Sequence, residues 1–297
     1  MTIVLAGGSG FLGRKLARRL ASEGHKTITL TRRPSGAADE IAWQPDGSAG
    51  ELPRHLDGVD AIVNLAGENV FAIRWTAAKK AAITSSRILS TRTLARAIAA
   101  CAQPPRVFIS QSAVGYYGPH GDEPVTESTS PGSDFLARVC VEWEGEARLA
   151  ESASTRVAIT RTGLPLDGDG GALGKMLLPF KLGLGATVGP GDQFMPWIHI
   201  DDWTAMMSWL IKTDRAAGIF NATAPEPVTN RTFTRTLGRV LHRPAVLFAP
   251  AFVLHAAMGE MASMLVHGQR VFPSHAQELG FRFNYPTLEP ALASLNL

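Results

Sequence analysis

The chain has 297 residues, of which 45% are hydrophobic and 19% charged. This composition is typical of a globular protein and excludes a disordered chain, and the length suffices to fold without metal or disulfide support. The net charge is only +3 and no dense run of lysine or arginine occurs, which argues against a nucleic-acid partner. Two cysteines without metal-ligand spacing, Cys101 and Cys140, are predicted to be reduced core residues.

The opening segment lacks a secretory signal pattern, and no uninterrupted apolar stretch reaches the membrane-spanning length of about 20 residues. We therefore expect a cytoplasmic protein with no membrane partner, and we leave its oligomeric state open.

The first two-thirds of the chain alternate strand and helix patterns. The predicted strands are residues 2–6, 26–30, 60–65, 106–110 and 156–161, and the predicted helices are residues 11–21, 76–101 and 134–152. Strands that alternate with helices predict an α/β fold of the Rossmann type, a doubly wound parallel sheet with helices on both faces.

After about residue 162 the pattern changes to glycine-rich and proline-rich loops at residues 168–174 and 183–191. Residues 196–200 and 218–221 are predicted strands that return to the sheet. Residues 232–241, 251–265 and 288–295 are predicted helices. We expect a dinucleotide-binding Rossmann domain at residues 1–165, joined by 195–225, and a smaller C-terminal α/β lobe on the substrate side at residues 166–194 and 226–297.

A glycine-rich turn joins the first strand to the first helix. Glycines at positions 7, 10 and 13 permit a tight turn, close approach of a pyrophosphate and close packing of helix on strand. The amides at the helix start, at Phe11 and Leu12, then face the phosphates. This strand–turn–helix context predicts that Gly7, Gly10, Phe11, Leu12 and Gly13 bind a dinucleotide.

The end of the second strand carries Arg32 and Arg33 and no acidic residue. A carboxylate there would bind the ribose 2′-hydroxyl of NAD, whereas arginine pairs with the 2′-phosphate of NADP. The cofactor predicted is therefore NADP, with NAD less favoured, and the substrate an unidentified small molecule.

Several longer motifs carry a family resemblance. They are GGSGFLG at 7–13, VNLAGENV at 63–70, SAVGYYG at 112–118, RTGLPLDGDGGALGKML at 161–177, WIHIDDW at 197–203, HGQRV at 267–271 and GFRF at 280–283. The chain resembles an atypical branch of the extended short-chain dehydrogenases/reductases, the NAD-dependent epimerase/dehydratase-like "epimerase family" proteins with a C-terminal domain of unknown function.

The resemblance implies roles for further residues. Asn64, Ala66 and Gly67 should line the adenosine ribose, and Thr162 should lie near the nicotinamide. Ser112 matches the active-site serine, which would polarise a substrate oxygen.

The catalytic Tyr-x-x-x-Lys pair of the wider family is absent. With Glu144 in register, Leu136 and Cys140 occupy the tyrosine and lysine positions, and neither can supply a proton or a fixed cation. One hypothesis is an NADP-dependent oxidoreductase or epimerase-like enzyme in which Tyr116 or Tyr117 supplies the proton. The other is a catalytically silent NADP-binding regulatory protein, such as one acting in cell division.

The enzyme hypothesis uses further cations. Arg87 and Lys79 would lower the pKa of the tyrosine, and Arg74, Trp75 and Arg87 are candidate substrate contacts, although Arg74 and Trp75 also suit a packing pair. Glu144 is expected to be a helix-surface or structural carboxylate.

No metal is expected at His199, Asp201 and Asp202, because adjacent strand residues point to opposite faces and no third ligand appears at useful spacing. Asp201 is instead predicted to cap a helix that begins at Trp203.

Overall fold

A parallel sheet of seven strands forms the centre of the computed structural model, which describes residues 1–71 and 74–297. The strands of the described chain are β1 (Thr2–Ala6), β2 (Lys26–Thr31), β3 (Glu40–Ala42), β4 (Ala61–Asn64), β5 (Val107–Ala113), β6 (Pro124–Val125), β7 (Arg156–Thr162), β8 (Leu164–Leu166), β9 (Ala186–Val188), β10 (Phe194–Met195), β11 (Trp197–His199), β12 (Gly218–Ala222), β13 (Val228–Thr229), β14 (Leu247–Ala249) and β15 (Arg270–Val271).

The helices are α1 (Phe11–Ser22), α2 (Leu52–Leu56), α3 (Ala77–Ala99), α4 (Phe135–Arg148), α5 (Gly171–Lys181), α6 (Ile200–Lys212), α7 (Asn230–Val240), α8 (Ala251–Met258), α9 (Ser263–Val266), α10 (Ser274–Glu278) and α11 (Leu288–Ser294). Two 3₁₀ turns, Val114–Tyr117 and Gly259–Ala262, complete the description. None of these helices combines the length and hydropathy needed to cross a bilayer.

The sheet order is β12-β7-β5-β4-β1-β2-β3, and every neighbouring pair is parallel. This arrangement confirms the predicted Rossmann fold. The chain moves outward from β1 in both directions, so β1 and β4 border the point where the strand order reverses. Ligands of open α/β sheets bind beyond the carboxyl ends of the strands at this point.

The central strands are apolar because helices cover both faces of the sheet. In β1, Ile3 and Leu5 pack with residues of α1 and α6, whereas Val4 and Ala6 pack with residues of α2, α3 and α4. A third apolar cluster joins α5, α7 and α11 in the C-terminal part. The proposed division of the chain into a Rossmann domain and a smaller lobe stays a prediction.

Two predicted elements differ from the structure. The strand predicted at residues 196–200 does not return to the sheet: β11 pairs with β8 instead, while β12 joins the sheet next to β7. Gly163 lets β7 and β8 pass close to this segment, since a Cβ there would lie 2.0 Å from the Pro196 carbonyl oxygen. The helix predicted at residues 251–265 is interrupted at Gly259, whose φ is +60°.

Glu23 links the end of α1 to α6. Burial alone would raise the pKa of Glu23, but hydrogen bonds from Lys212, Ser208 and Arg19 outweigh this effect and lower the pKa to about 2. The ionised carboxylate therefore stabilises the fold above its ordinary pKa of 4.5, and that stabilisation is lost as the pH falls toward 2.

We expect Glu23→Gln to lower the free energy of unfolding at pH 7 by about 1–2 kcal/mol, after allowing for solvent screening. Urea unfolding at pH 7 and pH 3 measures the effect, and the difference between the two proteins should shrink at the lower pH. A difference that is equal at both pH values would contradict the assigned role of the ionised carboxylate.

Candidate cofactor and active site

The glycine turn that follows β1 is held by close contacts that no larger residue would permit. Gly7 has a φ of +80°, and a Cβ there would lie 2.8 Å from the Leu65 carbonyl. A Cβ on Gly13 would lie 2.3 Å from the Gly7 carbonyl oxygen. The amide of Gly10 donates to that same oxygen at 3.0 Å, closing the turn. The turn therefore packs directly against α1 and against the chain that leaves β4.

The amino end of α1 is suited to an anion. Gly10 is the N-cap residue and offers no side chain to the first amides, and the first turn carries no acidic residue. These amides and the helix dipole together favour a negatively charged ligand. Ser9 and Gly10 are exposed, and Phe11 and Leu12 are half-buried.

The end of β2 lies beside a cavity at the edge of the sheet. Arg32 and Arg33 are both exposed, and the Arg33 amide donates to Thr31 Oγ1 at 3.2 Å. Arg32 lines a cavity of about 350 Å³ together with Trp43 and Gln44, which follow β3. A guanidinium is thus available next to a cavity on the edge of the sheet.

Asn64, predicted to line the ribose, uses its side chain within the protein. Its Nδ2 donates to Thr91 Oγ1 at 2.8 Å, and its Oδ1 accepts from the Ala66 amide at 3.1 Å. Trp143 Nε1 also donates to Thr91 Oγ1, at 2.8 Å. Asn64 therefore shapes the turn at Ala66 and Gly67. Because its side chain is used in these bonds, Asn64 would contact a ribose through its backbone.

Arg87 of α3 reaches back over this turn. Its Nη1 donates to the carbonyls of Glu68 and Ile83 at 2.9 and 3.2 Å, and its Cζ lies 5.2 Å from the centre of the Trp143 ring. Burial lowers the pKa of Arg87, and the proximity of Cys140 and Glu68 opposes that shift. Arg87 of α3 thus lies near Cys140, the residue at the lysine position of α4.

A buried polar network crosses the carboxyl ends of β5, β7 and β12. Arg161 Nε and Nη2 donate to the two oxygens of Glu144, each at 2.9 Å, and Ser112 Oγ donates to Glu144 Oε1 at 2.7 Å. Arg161 Nη1 donates to Tyr117 Oη at 3.0 Å, and Tyr117 in turn donates to Asn221 Oδ1 at 2.6 Å. All five side chains are buried.

The network bears on three expectations. Of the two alternatives for Glu144, the structural carboxylate is correct and the helix-surface one is wrong, since Glu144 is 3% exposed and paired with Arg161. Burial raises the pKa of Tyr117, and the charge and hydrogen bonds of Arg161 offset this only in part, giving about 12. The prediction that a nearby cation lowers the pKa of the tyrosine was therefore wrong for Tyr117. The hydroxyl proton of Ser112 points to Glu144, so its role toward a substrate stays a prediction.

Arg161 and Glu144 are functional candidates that sequence reasoning did not pair. Arg161 follows the buried residues Val157, Ala158 and Ile159 in β7, and a charged group in a buried strand requires a buried partner. That signal was present in the sequence, but the partner is 17 residues away on another element.

Of the two tyrosines in the 3₁₀ turn, Tyr116 is the accessible one. Its half-buried ring stacks on the Arg161 guanidinium, with 3.3 Å between Cζ and the ring centre. Leu136 lies behind the same turn, where a Cβ on Gly115 would be 3.3 Å from the Leu136 Cβ. Burial and the adjacent Glu144 raise the pKa of Cys140 to about 12, so its thiol is neutral.

Phe11 and Thr162, two residues predicted to contact the cofactor, are each in contact with a later part of the chain. The Phe11 ring packs on Gly170 and Gly171, since Cβ atoms there would lie 3.0 and 3.1 Å from it. Thr162 Oγ1 accepts a hydrogen bond from Trp203 Nε1 at 3.2 Å. Its place near a nicotinamide stays a prediction.

Arg74 and Trp75 join the cleft margin to other segments. Arg74 Nε and Nη2 donate to the carbonyls of Ala257 and Ala256 at the end of α8, at 3.1 and 2.5 Å. Trp75 Nε1 donates to the Val70 carbonyl at 2.9 Å, and its ring meets Phe135 edge-on at 5.5 Å. Arg74 thus holds α8 and does not form a cation–π pair with Trp75, so its contact with a substrate stays a prediction.

The acidic and histidine residues of WIHIDDW have local structural roles. His199 is the N-cap of α6, and its Nδ1 accepts from the Asp201 amide at 3.1 Å. The predicted Asp201 cap was therefore wrong, because the helix begins at Ile200. Asp202 accepts the amides of Asn284 and Tyr285 at 2.8 and 2.9 Å, which binds the tail to α6.

Known proteins resemble this chain in sequence along its length and in fold. The family model described as "NAD dependent epimerase/dehydratase family" matches residues 3–223, and a domain of unknown function, DUF1731, matches residues 249–295. The chain belongs to the NAD dependent epimerase/dehydratase family. This result confirms the resemblance carried by the motifs.

Relatives within the epimerase/dehydratase family match along the whole chain. Epimerase family protein SDR39U1 of Bos taurus is 42% identical, with 98% of both chains covered. Epimerase family protein YfhF of Bacillus subtilis is 39% identical, covering 99% of this chain and 98% of its own. A crystal structure of human epimerase family protein SDR39U1 (isoform 2) with NADPH has a TM-score of 0.93, 36% identity and 100% coverage of both chains.

Proposed function

We propose that the protein binds NADPH at the glycine turn and transfers hydride between the nicotinamide and a small molecule. The observation that carries the cofactor assignment is the uncapped amino end of α1 beneath Gly7, Gly10 and Gly13. The NADPH complex of the human relative supports the same assignment. Arg32 and Arg33, exposed at the end of β2, suit the 2′-phosphate.

NADPH supplies a hydride when it is bound, and the chain must supply the proton. We assign that proton to Tyr116 Oη, because Tyr117 and Ser112 already donate theirs to Asn221 and Glu144. The Arg161 guanidinium against the Tyr116 ring would stabilise the phenolate left after proton transfer. Arg87 would take the place of the missing lysine as the fixed cation beside Cys140.

The proton assignment is tested with NADPH and a panel of aldehydes, ketones and keto sugars, following the loss of absorbance at 340 nm. For any compound that is reduced, Tyr116→Phe should lower kcat by about 10²- to 10⁴-fold, the usual contribution of a general acid, and leave the NADPH affinity unchanged. Tyr117→Phe serves as the matched control, since its hydroxyl is buried and bonded. Equal turnover in Tyr116→Phe and the unmodified protein would remove Tyr116 from the mechanism.

A second candidate function is an NADPH-binding regulatory protein without turnover. The observation that favours it is the pair Leu136 and Cys140, where no group can exchange a proton near neutral pH. It predicts tight NADPH binding and no oxidation of NADPH with any member of the panel. Both candidate functions are compatible with the cytoplasmic location expected from the sequence, which stays a prediction.

A further inference from the structure

Arg270 lies on β15, a strand of the C-terminal part that borders the turn carrying Tyr116 and Tyr117. β15 pairs with β6, and the neighbouring Val271 packs with Tyr116 and Tyr117. Gln269 Nε2 donates to the Gly118 carbonyl at 2.8 Å, which fixes β15 to the end of the 3₁₀ turn that carries the tyrosines. The main chain at Arg270 is therefore fixed beside the turn that carries Tyr116.

The side chain of Arg270 is fixed by aromatic rings on two sides. Its Cζ lies 5.5 Å from the centre of the Phe194 ring and 5.4 Å from that of Phe272. A guanidinium in this position is held by cation–π attraction and packing, and its planar group of donors stays in one orientation.

The charge of Arg270 has no counterpart within the described ranges. The side chain forms no ion pair there, and its Nε is buried without a hydrogen-bond partner. Arg161, by contrast, is fully paired with Glu144. An arginine with a buried, unpaired donor is costly unless an acceptor arrives from outside, and carboxylate or phosphate oxygens match its geometry.

We propose that Arg270 binds an oxyanion of the substrate, a carboxylate or a phosphate, next to the reacting centre at Tyr116. The inference rests on the proposed function for the location of that centre. It assigns the substrate class as an anionic small molecule, because an oxyanion can accept from two guanidinium donors at once and offset the charge, which a neutral acceptor does not.

The test follows the Arg270 Nε–Hε resonance in ¹⁵N-labelled protein during titration with inorganic phosphate and, separately, with succinate at constant ionic strength. The resonance is assigned by its loss in Arg270→Lys. In the unmodified protein we expect saturable shifts of this resonance. In Arg270→Gln the anion affinity, followed on other resonances, should fall at least tenfold. In Arg270→Lys the loss of affinity should be smaller. Arg239→Gln, which removes an exposed arginine paired with Glu289, should bind the anions normally.

A larger response to phosphate or to succinate identifies which oxyanion the site prefers. Absence of a saturable shift with both anions, or equal affinity in Arg270→Gln, would overturn the inference. Thermal unfolding of each variant verifies its fold, and Arg270→Lys keeps the test valid if Arg270→Gln does not fold.

Every titration is run with and without NADPH. Anion binding without NADPH binding would refute the proposed function alone, whereas NADPH binding without an anion response would refute only the assignment of Arg270.

Discussion

Replacing Arg161 with methionine is expected to lower the free energy of unfolding by about 3–5 kcal/mol, because it leaves the buried Glu144 carboxylate without its partner. The same change removes a donor to Tyr117 and the cation under Tyr116. For a chain of this size such a loss corresponds to a fall in Tm on the order of 10 °C.

Denaturant unfolding monitored by tryptophan fluorescence measures this loss. The matched control is Arg239→Met, whose ion pair with Glu289 is exposed and should contribute less than about 1 kcal/mol. The double variant Arg161→Met, Glu144→Met should be more stable than Arg161→Met alone, since the unpaired charge is removed. If the double variant loses as much stability as the single variants Arg161→Met and Glu144→Met lose together, the pair does not act as a unit.

Exchanging Arg32 for glutamate is expected to weaken NADPH binding by about 100-fold, since a charge-assisted contact to the 2′-phosphate is replaced by repulsion. NADH lacks that phosphate, so its affinity should stay the same or rise. Fluorescence titration with each nucleotide measures the effect.

Arg18→Glu is the control for the Arg32 exchange. It makes the same change of charge at an exposed position of α1, and it should leave the preference between the two nucleotides unaltered. If NADH binds the unmodified protein more tightly than NADPH, the 2′-phosphate assignment is wrong.

The cofactor end of the molecule could be predicted from the sequence because its determinants are local. Residues 2–6 form a continuous apolar strand, and Gly10 and Gly13 meet the steric demand of the Gly7 carbonyl, at most six residues before them. Periodicity also located α1, α3 and α4 and the strands beside them to within a few residues. Only the order of the strands required the general rules for parallel sheets.

The active site was less predictable because its contacts join distant residues. Glu144 and Arg161 pair across two elements, and Tyr117 bonds to Asn221, 104 residues away. Burial then raised the pKa of Tyr117, an effect that proximity of charge in the sequence could not reveal. The Asp201 prediction failed for a local reason, since His199 capped the helix first.

The proposed function requires that main-chain amides at the start of α1 hold the pyrophosphate of NADPH. The most direct test is a crystal structure of the protein soaked with NADPH. We predict electron density for the two phosphates within hydrogen-bond distance of the amides between Gly10 and Gly13, with the 2′-phosphate beside Arg32. Nucleotide density elsewhere, or a glycine turn left empty at saturating NADPH, would contradict it.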